Sequence, residues 1–306
     1  MDLIVQQLVN AVALCAIYAL VAMGISLFFG VIGVVNLAHG DIGTVGVFAA
    51  LAVLHLVPID PGGGVLAFLG AGVALVCGIA ASAVAGVLVY ALALRPLASA
   101  PAIIGLLSSV GVGFVVREAI VNFYPNGRNP QSFPSLIPPT VYEIDGVFVD
   151  LTHVVLVVVA VTLVVTLAYI VEQTRFGRAT RSILNNREVA LSLGVPVTRV
   201  TAAIFALGSG LAGIAALMSA LYYNVVQSDM GLLLTVKGFT AAVIGGLGNI
   251  YGALLGAVLV GLIEAATAGF IPDGSAYRDV AVFATLIAML ILKPRGLLGR
   301  AGAERV

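Results

Sequence analysis

The stretch that decides the fold is Leu8–Asp41, LVNAVALCAIYALVAMGISLFFGVIGVVNLAHGD. No Asp, Glu, Lys or Arg interrupts it before Asp41. A helix needs about 20 apolar residues to cross a bilayer, and the run to Gly30 exceeds that. Asn36, His39, Gly40 and Asp41 then fall within six positions, and a second apolar run follows at once. Polar side chains are costly at or near hydrocarbon, so their clustering needs a structural reason. The segment reads as a helix break at the end of a first crossing. Asn36 and Gly40 shape the break, and Asp41 caps the next helix, expected over 42–57. His39 is placed to donate to a carbonyl that the break sets free.

Composition carries the same message through the whole chain. Of 306 residues, 61% are hydrophobic and 9% charged, with a mean hydropathy of +1.17. So few charges cannot cover the surface of a soluble protein of this size. A transmembrane barrel would show alternating segments of about 10 residues, which are not seen. The expected fold is therefore all-α, a single polytopic membrane domain over 1–306 with broken helices. The net charge of zero gives no sign of nucleic-acid binding. Cys15 and Cys77 lie in apolar runs and read as small buried hydrophobes; no metal-ligand spacing is present. The N-terminus lacks the basic flank of a cleavable signal peptide, so the first run reads as a retained helix.

Apolar runs predict helices near 8–30, 41–57, 65–94, 102–120, 152–171, 200–223, 235–247, 250–271 and 279–292, about eight or nine crossings. The run 235–247 is too short to cross alone and reads as a broken or re-entrant piece. Arg175, Arg178, Arg181, Arg187 and Arg199 crowd one connection. Lys293, Arg295, Arg300 and Arg305 fill the tail, and Arg95 precedes Pro96. The positive-inside rule puts all three segments, the C-terminus included, on the cytoplasmic side. Asp60, Glu118, Glu143, Asp145, Asp150, Asp229 and Asp273 fall in connections expected outside. The longest of these, 121–151, is proline-rich and contains VYEIDGVFVD, a hairpin signal turning at Asp145-Gly146. It reads either as a cap over the helices or as a docking surface.

The basic connection, 172–199, reads EQTRFGRATRSILNNREVALSLGVPVTR. Asn185 is placed to cap a helix at about 186–193, with Glu188 reaching back to it. Gly194 fits the left-handed position after its end, and Pro196 stops it. Such a helix spans roughly 12 Å and is too short to stand alone in water. Its apolar side, with Ala190 beside Arg187 and Glu188, must pack on this chain, on lipid or on a partner.

Two further features stand out inside apolar runs. Glu264 is an intramembrane carboxylate, with Lys237 or Arg117 as candidate partners or an outer-interface position as the plainer reading. Gly245, Gly246 and Gly248 precede Asn249 much as Gly30 and Gly33 precede Asn36, which raises the question of an internal repeat. Glycine pairs such as Gly252 and Gly256 read as helix packing. No nucleophile–base pair or dinucleotide fingerprint is present.

Four segments together resemble the permease subunits of bacterial branched-chain amino acid ABC transporters. They are FFGVIGVVNLAHGDIGTVGVFAA (28–50), REVALSLGV (187–195), KGFTAAVIGGLGNIYGALLGAVLVGLIEA (237–265) and YRDVAVFATLIAMLILKPRGLLGR (277–300). Glu188, Ala190 and Gly194 are similar to the coupling loop that such subunits seat in an ATPase groove. The resemblance implies a non-catalytic subunit in the bacterial inner membrane. It implies a second homologous permease subunit, two ATP-binding subunits and an extracytoplasmic amino-acid-binding protein as partners. ATP and magnesium would belong to the ATPases, and no cofactor to this chain, which has no Gly-x4-Gly-Lys-Ser/Thr loop. His39, Asp41 and Glu264 are the residues for which substrate contact is open. Some members of the family handle urea or short amides. The competing class is an ion-coupled carrier using Asp41 and Glu264 as cation sites.

Overall fold

The computed structural model describes residues 2–56, 64–98, 100–144 and 146–299. Among these are eleven α-helices: α1 Asp2–Ile32, α2 His39–Leu56, α3 Gly64–Val89, α4 Ala102–Phe123, α5 Leu151–Gln173, α6 Arg175–Asn185, α7 Arg187–Ser192, α8 Val197–Tyr223, α9 Met230–Gly245, α10 Ile250–Phe270 and α11 Gly274–Leu292. Helix α3 runs on through a π turn, Tyr90–Leu94, and a 3-10 turn, Arg95–Leu97. Eight helices are long and apolar enough to cross a membrane, and the fold is an all-α polytopic bundle. Helix α9 has 16 residues, about 24 Å at 1.5 Å per residue, less than the ~30 Å hydrocarbon core. It is the short piece expected near 235–247, but it begins earlier, at Met230.

The basic segments share one end of the bundle. Arg95 and Arg187 line a crevice with Val31 and Ile32, at the end of α1. After α11 the tail folds back along α9, with Leu297 N donating to Ile244 O (2.8 Å) and Leu298 N to Gly245 O (2.9 Å). Arg300 and Arg305 lie outside the described residues, as do Asp60 and Asp145. Glu118 lies within α4 rather than in a connection.

At the opposite end the segment 121–151 is a fixed cap. Strands β1 (Gln131–Ser132), β2 (Val141–Ile144), β3 (Val147–Asp150) and β4 (Val225–Val226) make two antiparallel pairs, β1 with β4 and β2 with β3. The second pair is the expected hairpin, with Gly146 at φ 81°. Gln6 of α1 clamps it, accepting from Phe148 N (2.9 Å) and donating to Phe148 O (3.0 Å). Phe133 N donates to Asn224 O (3.1 Å), which ties the cap to the link between α8 and α9.

Helix α1 is the axis of the core, packed against α5, α8, α9 and α10, while α2 packs on α3, α8 and α9. Helices α3, α4, α5 and α11 keep apolar faces outward, including Phe68, Phe114, Val165 and Leu292. Apolar exposure on that scale is not sustained in water but is matched by lipid. Cys77 on α3 shares this outer face and is exposed rather than buried; Cys15 is half-buried and also a free thiol.

Candidate functional site

The basic end carries a short helix held at both ends. Helix α6 buries Gly177, Thr180 and Ile183 at three-residue spacing, and that apolar face carries the helix through to Asn185. Asn186 N donates to Ser182 O (3.1 Å), closing its last turn. The cap of α7 is therefore Asn186 and not Asn185. Asn186 is extended, at φ −159°, and its side chain accepts from Glu188 N (2.9 Å) and Val189 N (3.1 Å). Glu188 stands two places after this cap with its side chain exposed, so the expected capping box does not form. At the far end Gly194 has φ 79°. Val195 N donates to Ala190 O and Gly194 N to Leu191 O, both at 3.0 Å, the paired bonds of a Schellman stop. Ala190 is fully buried against the cluster formed by Ile183, Val197 and Ile204. Val189, Leu191 and Leu193 remain more than half exposed, and Arg187 and Glu188 are exposed beside them.

The break after α1 reaches deeper than its place in the sequence suggests. Gly33 turns the chain with φ 67°. Asn36, buried, accepts from Ala38 N (3.1 Å), and Ser109 of α4 accepts from Leu37 N (3.0 Å). His39 packs against Gly24, eight residues before the end of α1, about 12 Å back along the helix. Helix α2 thus starts inside the bundle rather than at its basic end. The His39 ring meets Phe28 edge-on at 5.1 Å, and neither ring nitrogen has a hydrogen-bond partner among the described residues, so it does not donate to a carbonyl freed by the break.

There the N-termini of α2 and α9 meet. Gly40 N donates to Thr235 Oγ1 (2.7 Å), and Thr235 donates to Gly231 O (2.8 Å). A Cβ on Gly40 would lie 2.1 Å from Gly231 O, so this approach requires glycine. Asp41 does not cap: it sits in the first turn of α2, 1% exposed, paired with Arg117 Nε of α4 at 3.3 Å. Its charge complements two helix N-termini, each a locus of partial positive charge.

Glu264 and Lys237 form the second buried ionic group. Lys237 Nζ lies 2.9 Å from Glu264 Oε1, 2.8 Å from Asp279 Oδ1 and 3.4 Å from the Tyr18 hydroxyl. Tyr18 in turn donates to Glu264 Oε2 (2.7 Å). Glu264 is fully buried, and of the two expected partners it is Lys237 that pairs with it, while Arg117 pairs with Asp41. The second glycine break resembles the first in detail. Gly246 at φ 112° stands three residues before Asn249, as Gly33 stands before Asn36. Asn249 accepts from Tyr251 N (3.1 Å), the same two-residue spacing as Asn36. Gly245 ends α9 against the backbone of Gly252, and Gly248 has φ 80° near Gly30. The likeness is a shared local device at adjacent places on the basic end.

The structure thus keeps the candidate residues in three places: α7, the α2–α9 junction with Asn36 to Asp41, and the Glu264 group, with Asn249 near the first break. Sequence reasoning missed Arg117 as the partner of Asp41, and it missed Thr235, Gly231, Tyr18 and Asp279. Two charges of opposite sign in apolar runs were a usable signal for Arg117. Nothing in the order of residues singles out Tyr18.

The family model described as branched-chain amino acid transport system / permease component matches residues 7–290. The chain is 31% identical over 305 residues to the high-affinity branched-chain amino acid transport system permease protein BraD of Pseudomonas aeruginosa, covering 98% of this chain and 97% of that one. It is 31% identical over 310 residues to LivH of Escherichia coli, a permease protein of the same description, with the same shares of each chain covered. A probable branched-chain amino acid transport permease protein of Methanocaldococcus jannaschii is 25% identical over 303 residues, or 95% of this chain and 91% of that one. With a match across nearly the whole bundle, from α1 to α11, the chain belongs to the branched-chain amino acid transport permease family.

Proposed function

We propose that this chain is the membrane-spanning subunit of an ATP-driven importer for branched-chain amino acids, in the bacterial inner membrane with its C-terminus in the cytoplasm. The observation that carries this reading is α7. A six-residue helix, capped by Asn186 and stopped at Gly194, anchors Ala190 in the core and leaves Val189, Leu191 and Leu193 exposed. A helix so short is held by its ends and its buried side, and its open side is left for a partner. That partner is an ATP-binding subunit, which carries the ATP and magnesium; this chain binds neither. Two such subunits, a second homologous permease chain and an extracytoplasmic binding protein complete the machine. ATP-driven closure moves α7, and the bundle alternates the side on which its pathway opens.

Ion coupling is the weaker reading. Asp41 and Glu264 each face a fixed cation, Arg117 and Lys237, which supports a structural role for both carboxylates over ion coupling. The test uses the complete transporter in proteoliposomes. Glu188→Arg, or Gly194→Pro, which puts a fixed negative φ where φ is 79°, abolishes substrate-stimulated ATP hydrolysis while the complex still assembles. Uptake that persists in these variants and follows a proton gradient without ATP overturns the proposal. Competition by leucine, valine, urea and acetamide for the binding protein decides the substrate.

A further inference from the structure

A cavity of about 520 Å³ lies between α1, α9 and the start of α11, beside the link from α8. Small-molecule sites occupy about 300–1,000 Å³. Its lining divides chemically: Leu14, Ile17, Leu233 and Leu234 make an apolar wall, and Lys237, Arg278 and Asp279 a charged one.

The charged groups are not equally available. An ammonium has three N–H donors; Lys237 donates to Glu264 and Tyr18, and its charge is held 2.8 Å from Asp279 Oδ1 as an ion pair. Arg278 has five. Its Nε donates to the Ser275 carbonyl at 3.0 Å, and its nearest carboxylate oxygen, Glu264 Oε1, is 3.9 Å away, beyond hydrogen-bond distance. The end of its guanidinium fork is therefore free to grip a planar anion. Asp279 is ion-paired through Oδ1 with Lys237 at 2.8 Å, and its Oδ2 has no partner among the described residues, on a side chain 42% exposed. A bidentate cation and a free carboxylate oxygen, adjacent in sequence, thus line one cavity with an aliphatic wall. A lone anion entering it meets Asp279, Asp229 and the Glu264 charge beneath; a lone cation meets Arg278. A zwitterion pairs with both.

We infer that this cavity receives a free α-amino acid on its way through the membrane. Its carboxylate lies on Arg278, its ammonium on Asp279 Oδ2, and its aliphatic side chain against Leu14, Ile17, Leu233 and Leu234. The inference rests on the importer reading and adds that the permease itself, beside any soluble binding protein, recognises the amino-acid backbone.

The test is protection of a reporter thiol in the complete transporter, reconstituted without the binding protein. Ser275→Cys places the thiol in the cavity lining, and the parent chain, whose Cys15 and Cys77 do not line it, sets the background. L-leucine slows labelling by a charged thiosulfonate about threefold at roughly twice the dissociation constant, following 1 + [L]/Kd. Isoamylamine, 4-methylpentanoate and urea protect far less at the same concentration. Arg278→Gln removes the leucine protection, scored as the ratio of labelling rates with and without leucine in the same variant, and Arg278→Lys restores part of it. No protection by leucine, protection that survives Arg278→Gln, or equal protection by the amine, the acid or urea overturns the inference. ATP-driven leucine uptake by the unmodified transporter, with its binding protein, is measured in parallel. Uptake without protection rejects this site alone, whereas absence of uptake rejects the importer reading and the site with it.

Discussion

Lys237 of α9 and Glu264 of α10 stand 2.9 Å apart, with Glu264 wholly out of solvent. Removing two charges from water costs several kcal/mol each, and their attraction offsets this only when further hydrogen bonds complete the geometry. Tyr18 supplies such a bond from α1, and Asp279 of α11 adds a second carboxylate 2.8 Å from the ammonium. Four helices therefore converge on one ionic knot, and its Tyr18, Lys237 and Asp279 line the cavity between α1, α9 and α11.

Breaking one partner of that knot is expected to be worse than removing both charges. Lys237→Met leaves Glu264 buried and uncompensated, a loss of about 3–5 kcal/mol. Lys237→Met with Glu264→Gln keeps an acceptor for the Tyr18 hydroxyl without the stranded charge, and recovers at least half of the loss. Circular dichroism of the detergent-solubilised chain during thermal denaturation reads both. Equal destabilisation of the single and double variants would show that packing, not charge, holds this place.

The α2–α9 junction gives a steric prediction. In Gly40→Ala the new Cβ falls 2.1 Å from the Gly231 carbonyl, and backbone cannot move aside as a side chain can. The expected loss is at least the roughly 1–3 kcal/mol of an overpacked core. Gly72→Ala and Gly111→Ala are the controls, since nothing lies within 4 Å of a Cβ at either position. There the better helix propensity of alanine makes the change neutral or stabilising by up to about 1 kcal/mol. The same denaturation experiment separates the two outcomes.

The fold was legible because hydrophobic run length reports a membrane crossing directly, and glycine followed by asparagine reports a break. Helix α10 begins at Ile250, where its apolar run predicts, because Asn249 caps it. What run length does not report is depth. His39 and Asp41 follow the last residues of the first crossing in sequence, yet the chain doubles back and sets them beside Gly24 and Arg117. The partners of a buried charge are equally hidden, because Tyr18 and Glu264 lie 246 positions apart. Asn185 and Asn186 show the finer limit: both are good caps, and the burial of Ile183 decides between them by holding α6 helical to Asn185.

That choice can be tested at the helix it governs. Asn186→Ala frees the amides of Glu188 and Val189 at the start of α7, and cap removal costs about 1 kcal/mol. A loss of that size changes the ordered population about fivefold. Substrate-stimulated ATP hydrolysis by the assembled transporter should fall accordingly. Asn185→Ala, at an exposed position in the last turn of α6, should stay within about 0.5 kcal/mol of the parent and hydrolyse ATP normally. Equal losses in both variants would mean that the cap has no part in coupling.

The clamp between α1 and the outer hairpin makes the last prediction. Gln6 holds Phe148 by its amide N–H and its carbonyl together, at 2.9 and 3.0 Å. Each such bond contributes about 0.5–1.5 kcal/mol net. In Gln6→Leu both are lost, while the four-residue strand pairing of Val141–Ile144 with Val147–Asp150 is left in place. The Phe148 amide is then without its acceptor, and its hydrogen exchange should accelerate about tenfold, equivalent to roughly 1.4 kcal/mol. Amides of the α10 interior should exchange as before. Mass spectrometry of peptides spanning 146–150 and 253–265 gives the comparison. Acceleration in both peptides would mean that Gln6 supports the whole bundle through the packing of α1, and not the cap alone.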